Sequence, residues 1–277
     1  MTSSFLLSIT TWIYASASLL YIIYWIFKKQ AAGKGASLTL IFGAAANAAG
    51  IGLRWIESYR IDAGHAPLSN MYDSLIFFSM TIAIIYIFIE QKYKNRIIGA
   101  FASPIAFLAM AYASLPGTSD RIEPLIPALK SNWLIAHVAT CFLGYAAFGI
   151  AFGISIMYLI KQTEKEKNSR FLSSFPGIEI LDNLTHQMVI FGFLFLTAGI
   201  ITGAVWANSA WGTYWSWDPK ETWSLITWFV YAALLHARLM RGWEGKRIAY
   251  LSIIGFLAVM FTYFGVNYLP GLHSYAK

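Results

Sequence analysis

Cysteine and charged residues are both scarce in this sequence. Cys141 is the single cysteine, so the chain can form no internal disulfide and has no cysteine-based metal site. Charged residues make up 12% of the 277 residues, about half of the roughly 25% usual in soluble domains. Long polar stretches are missing, which excludes a large soluble domain. A phosphate-binding glycine-rich loop, a Walker lysine and a usable Ser/His/Asp arrangement are missing too, so ATP-driven and hydrolytic roles have no support.

Apolar residues, by contrast, make up 58% of the chain. They recur in runs of about 20 residues, which is the length that crosses a bilayer as a helix. We therefore predict an all-α fold, a polytopic transmembrane helical bundle forming a single integral membrane domain over residues 1–277. The first apolar run lacks a basic n-region and is too long for a signal peptide, so it is predicted to be a retained span. The eight predicted spans are 5–27, 38–57, 71–90, 97–114, 132–160, 186–205, 223–241 and 248–266.

Lysine and arginine predict the orientation of these spans, because loops rich in them stay in the cytoplasm. One set of alternating loops carries fourteen of these residues, and the other side, termini included, carries six. Both termini and the segment between the sixth and seventh spans are therefore predicted to be extracytoplasmic. The basic residues behind the net charge of +7 are scattered among short loops, where topology accounts for them, so no nucleic-acid partner is predicted. The fourteen are Lys28, Lys29, Lys34, Lys92, Lys94, Arg96, Lys161, Lys165, Lys167, Arg170, Arg238, Arg241, Lys246 and Arg247.

The segment between the sixth and seventh spans is unusually rich in tryptophan. Residues 206–228 (WANSAWGTYWSWDPKETWSLITW) hold six of the eleven tryptophans. An ordinary aromatic belt places about one or two rings at a helix end. The density here predicts a shaped aromatic surface for a flat, apolar and polarizable partner. The six are Trp206, Trp211, Trp215, Trp217, Trp223 and Trp228.

A helix start is predicted within this tryptophan-rich segment. Asp218 suits the N-cap, Pro219 the first helical position and Glu221 the capping-box position. These residues could also contribute to a ligand site. The alternative is that they only begin the seventh span.

Two histidines share the predicted outer face with the tryptophans. His137 lies about one turn inside the outer end of the fifth span, and His273 lies in the outer tail. Haem needs rings that pack on the macrocycle and a nitrogen on each side of the iron, and this combination of residues favours such a site. The alternative is that each histidine only satisfies a local hydrogen bond.

His236 is predicted to lie within the seventh span, about 20 Å from the outer rim at the helical rise per residue. An ionisable side chain at this depth indicates a functional site, and His236 could bind the same ligand as it arrives from the cytoplasm. A hydrogen bond to a neighbouring helix is the alternative. A second imidazole ligand there would come from His186 or, preferably, from a partner subunit.

The first outer loop, residues 64–73, is denser in polar residues than a connector requires. Ser69 or Asn70 is predicted to cap the third span, which can account for these residues. The alternative is that the loop forms part of a wall or docking surface near the outer site.

The segment WGTYWSWDPKETW resembles the signature of WWD-domain haem-handling proteins. Its details resemble the CcsA/ResC (System II) family of cytochrome c biogenesis proteins more than the shorter CcmC type. Further similarities are GFLFLTAGIITGAVW, YAALLHAR, GVNYLPGLHSY and the loop APLSNMYDSLIF.

This resemblance implies a subunit of the cytochrome c synthase (haem lyase) that works with a CcsB/ResB-type membrane partner. The complex would export haem b, hold it at an external bis-histidine site and attach its vinyl groups to the CXXCH cysteines of apocytochrome c. It implies His137 and His273 as external iron ligands and His236 as a transmembrane ligand. It also implies a bacterial inner membrane or a thylakoid membrane, with the site on the extracytoplasmic face. The other predicted haem-contacting residues are Trp206, Trp211, Trp215, Trp217, Asp218 and Trp223.

Two rival functions remain open from the sequence. One is a haem exporter or chaperone that forms no thioether. The other is a haem-free transporter or scaffold whose tryptophans bind membrane lipid or quinone. We assign no catalytic acid or base, because proximity and orientation account for the predicted reaction.

Overall fold

The computed structural model describes residues 2–116, 118–126, 129–163 and 174–271. Within these ranges the chain is helical, with no strand, and eight helices are long and apolar enough to cross a membrane. The all-α, eight-span prediction is confirmed to that extent. The helices are α1 Ser3–Phe27, α2 Gln30–Arg60, α3 Met71–Tyr93, α4 Gly99–Ala113, α5 Asn132–Gln162, α6 Ile178–Trp211, α7 Pro219–Arg241 and α8 Lys246–Tyr263, with short 3-10 turns at Arg96–Ile98 and Gly265–Tyr268.

Two helices extend further than their apolar runs predicted. Helix α2 begins at Gln30 rather than near 38, so much of the predicted loop between the first two spans is helix. Its Gly33 and Ala36 are buried, and a Cβ at Gly33 would lie 2.7 Å from the Tyr24 ring, so close packing on α1 continues through this polar stretch. Helix α6 likewise begins at Ile178 rather than near 186. Hydropathy marks the membrane core, whereas packing decides where a helix ends.

Helix α5 lies at the centre of the bundle and contacts α3, α4, α6 and α8. Its contact with α6 is close because both helices present small residues. A Cβ at Gly144 would lie 3.0 Å from the Gly192 carbonyl oxygen. On the α7 side, the fully buried rings of Phe148 and Tyr231 stack with centroids 3.5 Å apart. The rotation of α5 is therefore fixed from several sides.

The helices alternate in direction, so α1, α3, α5 and α7 begin at the end where α2, α4, α6 and α8 finish. Polar contacts between the helix ends include the following two. Ser3 donates to Glu57, which links α1 to α2. Arg54 Nε lies 2.5 Å from Asp73 Oδ1, and both side chains are 2% exposed. The second pair anchors α2 to α3 on either side of the connecting loop 61–70.

Candidate functional site

A large cavity opens at this shared end of the bundle. Its empty volume is about 1190 Å³, counting the open mouth. The starts of α3, α5 and α7 and the ends of α6 and α8 contribute to its wall. The sequence-predicted residues His137, Trp206 and Trp215 all line it.

The imidazole of His137 has a defined orientation and tautomer. Its Nδ1 lies 2.8 Å from the Gly199 carbonyl oxygen on α6. Because a carbonyl only accepts hydrogen bonds, Nδ1 carries the proton, and the neutral ring then has its lone pair on Nε2. This is how proteins commonly orient a histidine whose other nitrogen binds a metal. A Cβ at Gly203 would lie 2.6 Å from Nδ1, so the ring needs a glycine there to reach α6.

An aromatic wall adjoins His137. The Trp206 ring lies nearly parallel to the imidazole, at 12° with centroids 5.9 Å apart. Trp211 packs against Trp206 at 4.9 Å. Leu129 and Leu134 complete a small apolar cluster around the buried Trp206. Trp206 thus forms the cavity wall, and Trp211 supports it through their mutual contact.

A sharp change in chain direction brings Trp215 to the cavity. Helix α6 ends at Trp211, and its C-cap Gly212 has a left-handed φ of 78°, which favours glycine. Trp217 also has a positive φ, at 60°, and is 69% exposed. Its ring stands perpendicular to that of Trp215, with centroids 5.7 Å apart. Trp217 therefore lies outside the cavity wall and contacts the tryptophan that lines it.

The predicted start of α7 at Asp218 is confirmed. Asp218 Oδ1 accepts a hydrogen bond from the backbone of Lys220 at 2.9 Å. Glu221 Oε2 accepts from the backbones of Asp218 and Ser216, at 3.1 and 2.8 Å. Together these bonds form a capping box and also fix the chain just after Trp215.

The last two tryptophans of the segment face neighbouring helices. Trp223 packs on Phe261 of α8, with centroids 4.1 Å apart. Trp228 Nε1 donates to Thr197 Oγ1 of α6 at 2.9 Å. Neither residue lines the cavity. The six tryptophans therefore do not form one continuous surface: Trp206 and Trp215 line the cavity.

The loop before α3 contributes to both predicted roles. Leu68, Ser69, Asn70 and Met71 line the cavity, as a wall would. Asn70 also caps α3, because its Oδ1 accepts from the Asp73 backbone at 2.8 Å. The structural role and the site role coexist in this loop.

His65 anchors the same loop. Its Nδ1 lies 2.9 Å from the Ala66 carbonyl oxygen and its Nε2 lies 3.0 Å from the Glu123 carbonyl oxygen. The ring is 8% exposed. Both ring nitrogens are thus occupied by backbone contacts that join two loops.

Sequence reasoning missed several cavity-lining residues. Cys141 and Tyr145 follow His137 at intervals of four, which is the spacing of one helical face, so the pattern could have identified them. Lys220, which follows Pro219 in the predicted helix start, also lines the cavity. Tyr263 and Asn267 come from α8 and the turn after it, and only tertiary packing brings them here.

His236 lies at the opposite end of α7 and is exposed. Its neighbour Arg238 faces the bundle, where Nη2 pairs with Asp182 Oδ2 at 2.7 Å. Two residues correspond to about 200° around a helix, so His236 points away from that pair. His186, by contrast, is close enough to Arg238 and Asp182 to interact electrostatically with both. The structure therefore does not bring His186 and His236 together as two ligands of one site.

His273 lies outside the described residues. The chain leading to it is described as far as Gly271. A Cβ at Gly271 would lie 2.5 Å from Asp218 Oδ2, so the backbone there passes against the start of α7. Gly271 is therefore at the cavity end of the bundle.

Fold and site together define a class, a multi-pass helical protein with an aromatic, histidine-lined cavity at one end of its bundle. Residues 68–273 match the family described as Cytochrome C assembly protein. The chain belongs to the CcsA family of cytochrome c biogenesis proteins, and a role in cytochrome c maturation follows from that membership.

Curated relatives of the chain extend over most of its length. It is 46% identical over 245 residues to the cytochrome c biogenesis protein CcsA of Guillardia theta, covering 81% of this chain and 80% of that one. It is 42% identical over 262 residues to CcsA of Pyropia yezoensis, covering 80% and 81%. CcsA of one strain of Prochlorococcus marinus is 43% identical over 250 residues, covering 80% and 78%.

A solved structure shares the fold. The chain superposes on cytochrome c haem lyase CcmF with a TM-score of 0.67 at 17% identity, covering 95% of this chain. The match spans 47% of CcmF, so this chain corresponds to about half of that protein. At this level of identity the likeness concerns the architecture of the bundle.

Proposed function

We propose that the protein holds haem in the cavity and presents it for covalent attachment to apocytochrome c. The observation that carries this proposal is the His137 imidazole. Its Nδ1 donates to the Gly199 carbonyl, its ring lies beside the Trp206 indole, and it lines a cavity open at one end. A lone pair fixed on Nε2 is the donor that haem iron takes from histidine.

The surroundings of His137 also fit haem, which is flat and largely apolar. Indole faces and apolar side chains supply matching contact area, and a few polar groups set the orientation. Trp206 and Trp215 provide the indoles at the cavity wall, and Trp211, Trp217 and Asp218 hold them in place. Trp223 would act indirectly, by packing α7 on α8.

His273 is the proposed second external ligand. The position of Gly271 against Asp218 supports this, since it places the chain two residues earlier at the cavity end. Bis-histidine ligation leaves the iron no open position, which would discourage oxygen chemistry. The substrate is haem b, because its vinyl groups are what the reaction consumes.

The proposed reaction is the addition of a thiol across a vinyl double bond. A sulfur–carbon bond forms, the C=C π bond is lost and the thiol hydrogen ends on the other vinyl carbon, so no oxidant or leaving group is required. The two thiols come from CXXCH of apocytochrome c, since this chain has a single cysteine, Cys141, and the two vinyl groups need two. The protein would contribute orientation, which can supply up to about 7–11 kcal/mol.

His236 is the proposed site at which haem first binds on its way from the cytoplasm. Its exposure at the far end of α7 leaves room for a second ligand from a CcsB/ResB-type partner subunit. The excess of lysine and arginine at that end supports a cytoplasmic location for it, and an extracytoplasmic one for the cavity.

The visible spectrum of the protein purified after haem-replete expression tests the binding. We expect a Soret band with low-spin bis-histidine character, and loss of that character in His137→Ala and His273→Ala. His186→Ala is the matched control and should leave the external signal unchanged. A wild-type protein with no Soret band would reject haem binding and favour a lipid- or quinone-binding scaffold.

A second experiment separates the synthase from an exporter or chaperone. The complex copurified with its partner subunit is mixed with reduced apocytochrome c, and haem is then followed on a denaturing gel. Haem that stays with the cytochrome polypeptide supports the synthase. A haem-loaded complex that yields no covalent product would instead favour the exporter.

A further inference from the structure

Lys220 places a cation in a mostly apolar cavity wall. It is the second residue of α7 and lines the cavity together with His137 and Trp215. Lysine and arginine are otherwise absent from the described part of that wall. A charge in such a position is costly unless a partner of opposite sign accompanies it.

The nearby carboxylates have other bonds. Asp218 Oδ1 accepts from the Lys220 backbone, and Glu221 Oε2 accepts from the backbones of Ser216 and Asp218. Among the described residues the ion pairs are Arg54–Asp73, Arg96–Glu90 and Arg238–Asp182, and Lys220 belongs to none of them. Asp218 interacts electrostatically with Lys220 without forming one of these ion pairs, so the Lys220 ammonium can still bind an anionic ligand.

An amide oxygen lies in the same corner of the cavity. Asn267 lines the cavity, and its Nδ2 donates to the Tyr263 carbonyl at 3.0 Å. Its Oδ1 is buried and has no hydrogen-bond partner among the described residues. Lys220 and Asn267 also line a small adjoining pocket beside Asp218, which shows that they are close neighbours. An ammonium donor next to an unsatisfied acceptor suits a carboxyl group in either protonation state.

Resting on the proposed function, we propose that Lys220 and Asn267 form the subsite for a propionate of haem. The two propionates of haem b lie on one edge of the macrocycle and the two vinyl groups lie toward the opposite edge. When a propionate is held at Lys220, the vinyl edge of the macrocycle therefore faces away from the start of α7.

Another part of the cavity wall adjoins a second cavity. Leu68, Ser69, Leu129 and Leu134 line both the main cavity and a second one of about 960 Å³. None of these four lines the pocket shared by Lys220 and Asn267. In this proposal the vinyl edge lies away from Lys220, and the second cavity is the place assigned to the thiol-bearing peptide.

Binding of haem b and of its dimethyl ester, followed by Soret titration of the purified protein, tests the subsite. The wild type should bind the free acid about ten-fold or more tighter than the diester, the ratio expected for one charge-assisted hydrogen bond. Lys220→Met should abolish this preference and Lys220→Arg should retain it. Affinity for the diester should be unchanged in both variants, which also reports that the site has folded. Lys130→Met, in the second cavity, is the matched control and should keep the wild-type ratio.

A Lys220→Met variant that keeps the full preference for the free acid would overturn the subsite, as would an equal loss in Lys130→Met. If Lys220→Met does not fold, Asn267→Asp decides, because a new carboxylate in this corner should weaken the free acid but not the diester. An unchanged ratio in that variant would also overturn it. A wild-type protein that binds neither porphyrin would instead reject the proposed function itself.

Discussion

The imidazole of His137 lies nearly parallel to the indole of Trp206, with 12° between the planes and 5.9 Å between the ring centroids. The two residues come from different helices. Small residues between α5 and α6 let the two backbones approach closely, and this brings the two rings together. Gly199 supplies the carbonyl that accepts from Nδ1, and Gly203 leaves space for the ring. The orientation of the candidate ligand therefore depends on two glycines of α6, Gly199 and Gly203.

Gly203→Ala should weaken haem binding although neither of the two proposed axial histidines is substituted. The new Cβ would lie 2.6 Å from Nδ1 and would push the ring from its hydrogen bond with Gly199. We expect about ten-fold weaker binding, in line with the loss of a supporting contact to a metal-binding histidine. Soret titration measures it. Gly52→Ala is the control, since a Cβ there meets nothing within 4 Å, and an equal effect of both changes would contradict this prediction.

The tryptophans should divide into two groups by their effects. Trp228→Phe removes the bond to Thr197 and should lower the free energy of unfolding by about 0.5–1.5 kcal/mol, with the haem spectrum unchanged. Trp206→Phe and Trp215→Phe should instead alter the haem spectrum, because these two rings line the cavity. Thermal unfolding in detergent and visible spectra of the same samples distinguish the groups. The division fails if Trp228→Phe changes the spectrum as much as Trp206→Phe does.

The buried pair of Arg54 and Asp73 should be costly to break from one side. Both side chains are 2% exposed, so Asp73→Leu alone leaves a buried cation without its counter-charge and should destabilise the protein by about 3–5 kcal/mol. The double variant Arg54→Met/Asp73→Leu should recover much of that loss, since no charge then stays buried. A double-mutant cycle on thermal or denaturant unfolding measures the coupling. Additive effects of the two single substitutions would contradict the predicted coupling between Arg54 and Asp73.

The N-cap of α7 should matter to both stability and binding. Asp218→Ala removes the acceptor for the Lys220 backbone and should cost about 0.5–2 kcal/mol. Haem binding should weaken as well, since the capping box also holds the chain next to Trp215. Asn95→Ala removes a comparable cap at the other end of the bundle, where Oδ1 accepts from Ile97 at 2.9 Å. That control should lower stability alone, and an effect of Asn95→Ala on haem binding would contradict the prediction.

The sequence by itself determined the features that depend on local chemistry. Runs of apolar residues decided that the eight long helices of the described chain form, because an unpaired backbone is too costly in a bilayer. Asp218, Pro219 and Glu221 decided where α7 begins, since a capping box is made by neighbours in the chain. The resemblance of WGTYWSWDPKETW to the WWD signature agrees with the family assignment of residues 68–273.

Only the tertiary structure decided which side chains share the cavity. The rotation of each helix is set by non-local packing, such as Gly144 against Gly192 and Phe148 against Tyr231. The same packing places Trp206 at the cavity and Trp228 against α6, although both belong to one tryptophan-rich segment. The number of tryptophans in a segment does not predict which of them line the cavity, because the neighbours of each ring depend on contacts between residues distant in the chain.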